Sequence, residues 1–157
     1  MKKYILPKSV KTFVMFVGFG RSGHSFIAQA LHSHPDALIG NEGRIYEYYN
    51  ENPSLDAVYS YCRKLAVSFE KRNFTKHPKM GNSQNLRIKG GWQTIPDNPI
   101  IFGNSRAGAT TQLILRKSDL IDNLVDNLGL PIKVIAISRH PLDMLGSRIK
   151  RSGMEFL

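Results

Sequence analysis

Three groups of residues in this 157-residue chain combine side chains and spacing that could do chemistry. The first is Gly18-Phe19-Gly20-Arg21-Ser22-Gly23-His24-Ser25, a loop of small residues with side-chain donors at Arg21, Ser22, His24 and Ser25. Where such a loop runs into a helix, its backbone N–H groups sit at the positive end of the helix dipole. An anion can then be held without a full cation at every oxygen. Gly20, Arg21, Ser22, Gly23, His24 and Ser25 therefore read as a phosphate or sulfate cradle. The second group is Glu42, with Arg44 two residues on. A carboxylate brought towards the cradle could take the proton of an attacking hydroxyl; a loop cap or a surface pair with Arg44 is the alternative. The third is Arg139 with Ser147, a guanidinium and a hydroxyl that together suit a phosphate monoester.

These groups need elements to position them. Phe13-Val14-Met15-Phe16-Val17 is an apolar run of the kind found in a strand buried on both faces. Past Gly23 the period changes, and Phe26, Ile27, Ala30 and Leu31 fall on one face of a helix. His34-Pro35-Asp36 reads as a turn and Ala37-Leu38-Ile39 as a second strand ending at Gly40-Asn41-Glu42. In a parallel sheet both strands deliver their carboxyl ends to one edge, which brings Glu42 towards Arg21. Ser54 caps a helical stripe through Leu55, Val58, Tyr59, Cys62, Leu65, Ala66 and Phe69. Tyr46, Tyr48 and Tyr49, just before it, suit packing more than a cofactor site. Pro99-Ile100-Ile101-Phe102-Gly103 is a further short strand, and Asn104-Ser105-Arg106 leads out of it as a polar turn before a helix. Ser118-Asp119 opens a helix with Leu120, Ile121, Leu124, Val125 and Leu128 on one face, stopped by Gly129 and Pro131. The β-branched run Ile132 to Ile137 is expected as a central strand. It ends at Ser138-Arg139-His140, and Pro141 starts a helix carrying Met144, Leu145, Ser147 and Arg148.

Gly18 to Ser25 spells G-x-x-x-x-G-H-S, one residue from the nucleotide P-loop G-x-x-x-x-G-K-[ST], with His24 in place of the lysine. That lysine reaches the β- and γ-phosphates, so its replacement disfavours an ordinary ATPase or kinase. The cation lies three residues earlier, at Arg21. R-S-G-x-[ST] after an apolar strand, then a helix and H-P-D, resembles the 5'-phosphosulfate loop of sulfotransferases that use 3'-phosphoadenosine 5'-phosphosulfate (PAPS). Aligned without a gap from Arg21, the stretch is similar to the tyrosylprotein sulfotransferases, in which R-S-G-T-T leads to G-E-E-T-R. Glu42 falls on the second glutamate, the base of that family, Arg44 on its arginine, and Asn41 on the first glutamate. Asn104 to Thr111 resembles the G-D-K-x-x-G-x-T-T stretch of bacterial sulfotransferase-like proteins, with Asn104 for the aspartate, Ser105 for the lysine and Arg106 as the cation that stands in. Arg139, Pro141, Asp143 and Ser147 match the 3'-phosphate pattern R-[DNH]-P-x-D-x-x-x-S.

The resemblance implies an α/β, three-layer P-loop-type fold with a mostly parallel central sheet. It also implies a single domain over residues 1–157, shorter than family members, which continue past the helix bearing Ser147. PAPS is the implied sulfuryl donor and an acceptor hydroxyl on a carbohydrate, lipid, small molecule or protein tyrosine the implied acceptor, with no metal required. Glu42 is the expected base. Arg21, with His24 or Arg106, offsets charge on the leaving phosphate, and Arg139 with Ser147 holds the 3'-phosphate.

Composition bounds the alternatives. Lys and Arg number 22 against 12 Asp and Glu, a net charge of +10 that suits an anionic ligand, a nucleic acid or an acidic acceptor. Residues 71–89 hold six Lys or Arg and no acid, but no repeated aromatic organises them, so a solvated loop is favoured over a nucleic-acid contact. The single cysteine, Cys62, excludes an internal disulfide, and the short apolar run Tyr4-Ile5-Leu6 is too brief for a signal peptide or membrane span, so a cytoplasmic protein is expected. His32 and His34 lack a third metal ligand nearby. A P-loop nucleotide kinase or NTPase with a degenerate loop, and a non-catalytic basic binding module, are the two competing classes.

Overall fold

The computed structural model describes residues 4–52, 54–74 and 94–152. Apart from the backbone at its start, the basic stretch 71–89 lies outside them. The order of elements is β1 (Thr12–Gly18), α1 (His24–His32), β2 (Ala37–Gly40), α2 (Ile45–Glu51), α3 (Leu55–Phe74), β3 (Ile101–Asn104), α4 (Ala107–Arg116), α5 (Leu120–Leu128), β4 (Ile132–Ile137) and α6 (Pro141–Ser152). The strands form one four-stranded parallel sheet in the order β2-β3-β1-β4. This is the α/β class with the parallel sheet that the strand and helix pattern implies.

Because successive strand residues point to opposite faces, the sheet carries two cores. Phe13, Met15, Leu38 and Phe102 face α3 and α5, where Val58, Tyr59, Cys62, Ala66, Leu124 and Leu128 meet them. The rings of Phe13 and Tyr59 both pack edge-on against Phe102, at 5.1 and 5.5 Å between centroids. On the other face, Val14, Phe16 and Ile39 pack with Ala28 of α1 and Ala107 at the start of α4. Phe13 to Phe16 are all buried, as expected of the strand between two neighbours. Burial also pushes the Cys62 thiol up, so it sits as an unreactive core side chain.

Two expectations need correction. α1 does not present Phe26 and Ile27 to the sheet: Phe26 is 55% exposed, and the buried residues are Ala28, Gln29 and His32. A small alanine lets the helix approach closely, and His32 is buried because its Nδ1 accepts the Ile39 N–H at 3.2 Å. Burial lowers the His32 pKa, so the ring serves β2 as a neutral acceptor. β4, expected in the middle of the sheet, lies at its edge. It pairs with β1 on one side, no described strand takes the other, and Val134 is 47% exposed. β-branched composition signals an extended conformation, not a place in the strand order.

Ser54 caps α3 as expected, accepting the Ala57 N–H at 3.1 Å. α2 was not foreseen; Ile45 and Tyr46 bury its inner side. Gly103 of β3 lies opposite Val14, and a Cβ there would sit 2.1 Å from the Val14 carbonyl oxygen. Both atoms belong to paired backbones, so nothing flexible can yield. Gly103→Ala is expected to cost about 1–3 kcal/mol. A urea titration checks this as a lowered midpoint with an unchanged slope.

Candidate functional site

The parallel sheet delivers residues 18–23, 41–43, 104–106 and 138–140 to its carboxyl edge, where open α/β sheets bind ligands. The loop after β1 is fastened from both sides. The Gly18 N–H donates to Thr111 Oγ1 at 2.7 Å, and that hydroxyl lies 3.0–3.1 Å from the carbonyls of Ala107 and Gly18. Gly18 has φ 135°, and a Cβ on it would meet the Ile137 carbonyl oxygen at 2.3 Å, so only glycine starts the loop here. Ser22 is buried, and its N–H and hydroxyl both donate to the Phe19 carbonyl, at 3.3 and 2.7 Å. In this state Ser22 closes the loop. Among the described residues nothing accepts the N–H groups of Gly20, Arg21 or Gly23, which leaves them for a ligand.

Arg21 reaches from the loop to α6, where its Nε donates to Ser147 Oγ at 2.9 Å. Ser147 is thus paired with Arg21 and not with Arg139. Arg139 is half-exposed after the end of β4, with Nε 3.5 Å from Asp143 one turn along α6. Arg148 brings a guanidinium nitrogen to 3.6 Å from where a Cβ on Gly20 would lie, so a third cation stands at the loop.

Glu42 is held by the end of β3. Its N–H donates to Ser105 Oγ at 3.2 Å, and the Ser105 hydroxyl donates to Asn41 Oδ1 at 2.9 Å. Asn104 brackets the next residue, accepting the Gly43 N–H at 3.1 Å and donating to its carbonyl at 2.7 Å. The Glu42 carboxylate meets α1: Oε1 lies 2.6 Å from His24 Nε2 and 3.5 Å from Ser25 Oγ. An ionised carboxylate only accepts, so His24 carries its proton on Nε2. His24 Nδ1 is buried with no partner among the described residues, and Oε2 of Glu42 takes no hydrogen bond from them.

The His24 hydrogen bond, helped by the charges of His24 and Arg106 and by Ser25, holds the Glu42 carboxyl below its ordinary 4.5 against the opposing effect of burial. Its contribution to folding is therefore complete above that ordinary value and lost as pH falls through the lower native one. Glu42→Gln is expected to lower the melting temperature at pH 6–7, and the gap from wild type closes as acidification proceeds below pH 4.5. Thermal scans across this range check it; a gap that stays constant to the acid limit would count against the His24–Glu42 pair.

Among the described non-glycine residues, two adopt positive φ: Arg21 at 74° and Glu42 at 56°. Left-handed backbone costs a bulky residue about 1–2 kcal/mol. Such outliers persist where the surroundings hold them, often at functional sites. Here they are the two residues that the sequence placed at the centre of the chemistry.

The loop residues, Glu42 and Ser147 are therefore brought together. Arg106 is less directly involved: it occupies the cap position before α4, near enough to Glu42 to act on its charge. It lines a cavity of about 280 Å³ between α2 and α4 with Arg44 and Arg116. Thr111, Arg148 and the clamp formed by Asn104 and Ser105 were not singled out as site residues from sequence. The paired threonines and the serine-arginine step on α6 were visible, but only packing of α4 and α6 against the loop gives them work. Among the described residues no helix is long and apolar enough to cross a membrane, and no group of three or more His, Cys, Asp or Glu is placed to hold a metal. Comparison with protein-family models, curated proteins and solved structures gives no match to this chain.

Proposed function

We propose that this protein transfers a sulfuryl group from PAPS to the hydroxyl of a carbohydrate, lipid, small-molecule or tyrosine acceptor. The observation that carries the reading is the 2.9 Å bond from Arg21 to Ser147. It joins two segments that, by resemblance, serve the two charged ends of one ligand, beside a carboxylate poised by His24. Asn41 and Ser105, both neutral where the tyrosylprotein pattern has a glutamate and the bacterial sulfotransferase-like pattern a lysine, hydrogen-bond one another. The change is matched on both sides, and Glu42 keeps its place.

In the proposed reaction Glu42 Oε2 takes the proton as the acceptor oxygen attacks sulfur, and the bond from sulfur to the bridging phosphate oxygen breaks. 3'-Phosphoadenosine 5'-phosphate leaves. Arg21, the loop N–H groups of Gly20, Arg21 and Gly23, and Ser25 meet the charge on the leaving phosphate, with Arg106 adding to the positive field around Glu42 and His24 holding the carboxylate through its Nε2–H. Arg139 and Ser147 hold the 3'-phosphate once Asp143 and Arg21 release them. The exposed Arg139–Asp143 pair resists this by at most about 1 kcal/mol. His24 stands where a nucleotide P-loop has lysine and is tied to Glu42, which disfavours a kinase. The single cysteine suits a reducing compartment, and we assign the reaction to the cytoplasm. The test is nucleotide preference: binding of 3'-phosphoadenosine 5'-phosphate over ADP and AMP without magnesium.

A further inference from the structure

The cavity between α2 and α4 is lined by Gly43 and Arg44, the two residues that follow Glu42, and by Arg106, whose charge acts on the Glu42 carboxylate. Its lining is largely polar and carries three cations, Arg44, Arg106 and Arg116, against Glu47 as the one acid, with Tyr46, Thr110 and Gln112 also on the wall. None of the three guanidinium groups forms an ion pair among the described residues.

Fold stability does not account for this arrangement. Arg44 and Arg106 occupy the cap positions before α2 and α4, and neither side chain caps its helix. Those positions favour Asn, Asp, Ser or Thr, and a cation at the positive end of α4 is opposed by the helix dipole. Only Arg116, in the last turn of α4, is where a helix prefers a cation. Two arginines are thus held against local preference around the same cavity.

We infer that this cavity is the acceptor subsite, and that the acceptor is a sugar-sized polyol bearing an oxyanion, a carboxylate or a sulfate ester, bound by Arg44, Arg106 and Arg116. The inference rests on the sulfotransferase reading for the word acceptor, though not for the anion site. Guanidinium forks match a planar carboxylate or a sulfate in a two-pronged way. About 280 Å³ admits a single hexose-sized ring, and the polar lining suits hydroxyls better than an aromatic or lipid surface. An anion anchored on the arginines leaves the ring's hydroxyls at the Glu42 end.

Titration calorimetry with glucuronate, glucose 6-sulfate and glucose tests this on the whole chain, with 3'-phosphoadenosine 5'-phosphate titrated in parallel. Either anionic sugar is expected to bind at least about tenfold more tightly than glucose, the size of one charge-assisted contact, and the tighter of the two identifies the oxyanion. Arg116→Ala and Arg44→Ala should each remove most of that preference with little change in melting temperature or nucleotide affinity. Equal affinity for all three sugars, or a preference that survives both substitutions, overturns the inference. If the sugar preference holds while the nucleotide does not bind, the anion site stands and the sulfotransferase reading falls. Nucleotide binding without sugar preference overturns the anion site and leaves the sulfotransferase reading in place.

Discussion

Glu42→Gln is expected to slow sulfuryl transfer by about 10²–10⁴-fold, the usual worth of a positioned general base, with donor affinity unchanged. Glutamine keeps the shape and can still accept from His24 Nε2, so the loop 41–43, held by Asn104 and Ser105, stays in place. What disappears is the site for the proton. The left-handed backbone at residue 42 supplies a control. Glu42→Gly relieves that conformation, should be folded to a similar melting temperature, and should be as inactive as the glutamine variant. A single-turnover assay following conversion of PAPS to 3'-phosphoadenosine 5'-phosphate, with glucuronate or glucose 6-sulfate as acceptor, separates the base from binding. A loss expressed wholly in the half-saturating acceptor concentration, with the single-turnover rate constant at saturation intact, would remove Glu42 from the chemistry.

Loss of both cations at the ligand's charged ends should be the largest effect on binding. A hydrogen bond to a charged group is worth about 1.5–3 kcal/mol, so Arg21→Ala with Arg139→Ala together should weaken 3'-phosphoadenosine 5'-phosphate by about 10²–10⁴-fold. The two single changes should differ in kind. Arg139→Ala should erase discrimination for the 3'-phosphate and leave AMP binding as it was. Arg21→Ala should weaken every nucleotide, AMP included, because it acts at the 5' end that they share. Because Arg21 also holds Ser147 at 2.9 Å, its removal should loosen α6, and the double variant should fall short of the summed singles.

Much of this arrangement was legible in the residues themselves. Five apolar residues followed by Gly18 announced β1 and its loop, and Glu42 does reach that loop, through His24, while Ser147, grouped with Arg139 in the sequence, is held by Arg21 instead. The parts that were not legible share a cause: polar groups that become buried through a specific partner. His32 turns α1 because its Nδ1 finds the Ile39 N–H, and no apolar periodicity can register that. Asn104 and Ser105 read as losses from a pattern when taken singly. In the fold they are the clamp on Asn41, Glu42 and Gly43, a relation between residues some sixty positions apart. α2 escaped notice because seven residues, three of them tyrosine, are too few to show a helical period and have no capping side chain before them. The edge position of β4 was invisible for a different reason, since strand order depends on which neighbours pair and not on the composition of the strand.

The central claim, that Arg21 with its loop and Arg139 with Ser147 bind the two ends of one 3'-phosphorylated nucleotide, is tested most directly by calorimetry without magnesium. Wild type and Arg139→Ala are each titrated with 3'-phosphoadenosine 5'-phosphate, ADP and AMP. The prediction is a preference of at least about tenfold for the 3'-phosphorylated ligand in the wild type, reduced to parity with AMP in the variant. Equal affinities in the wild type, or a preference untouched by Arg139→Ala, would contradict it.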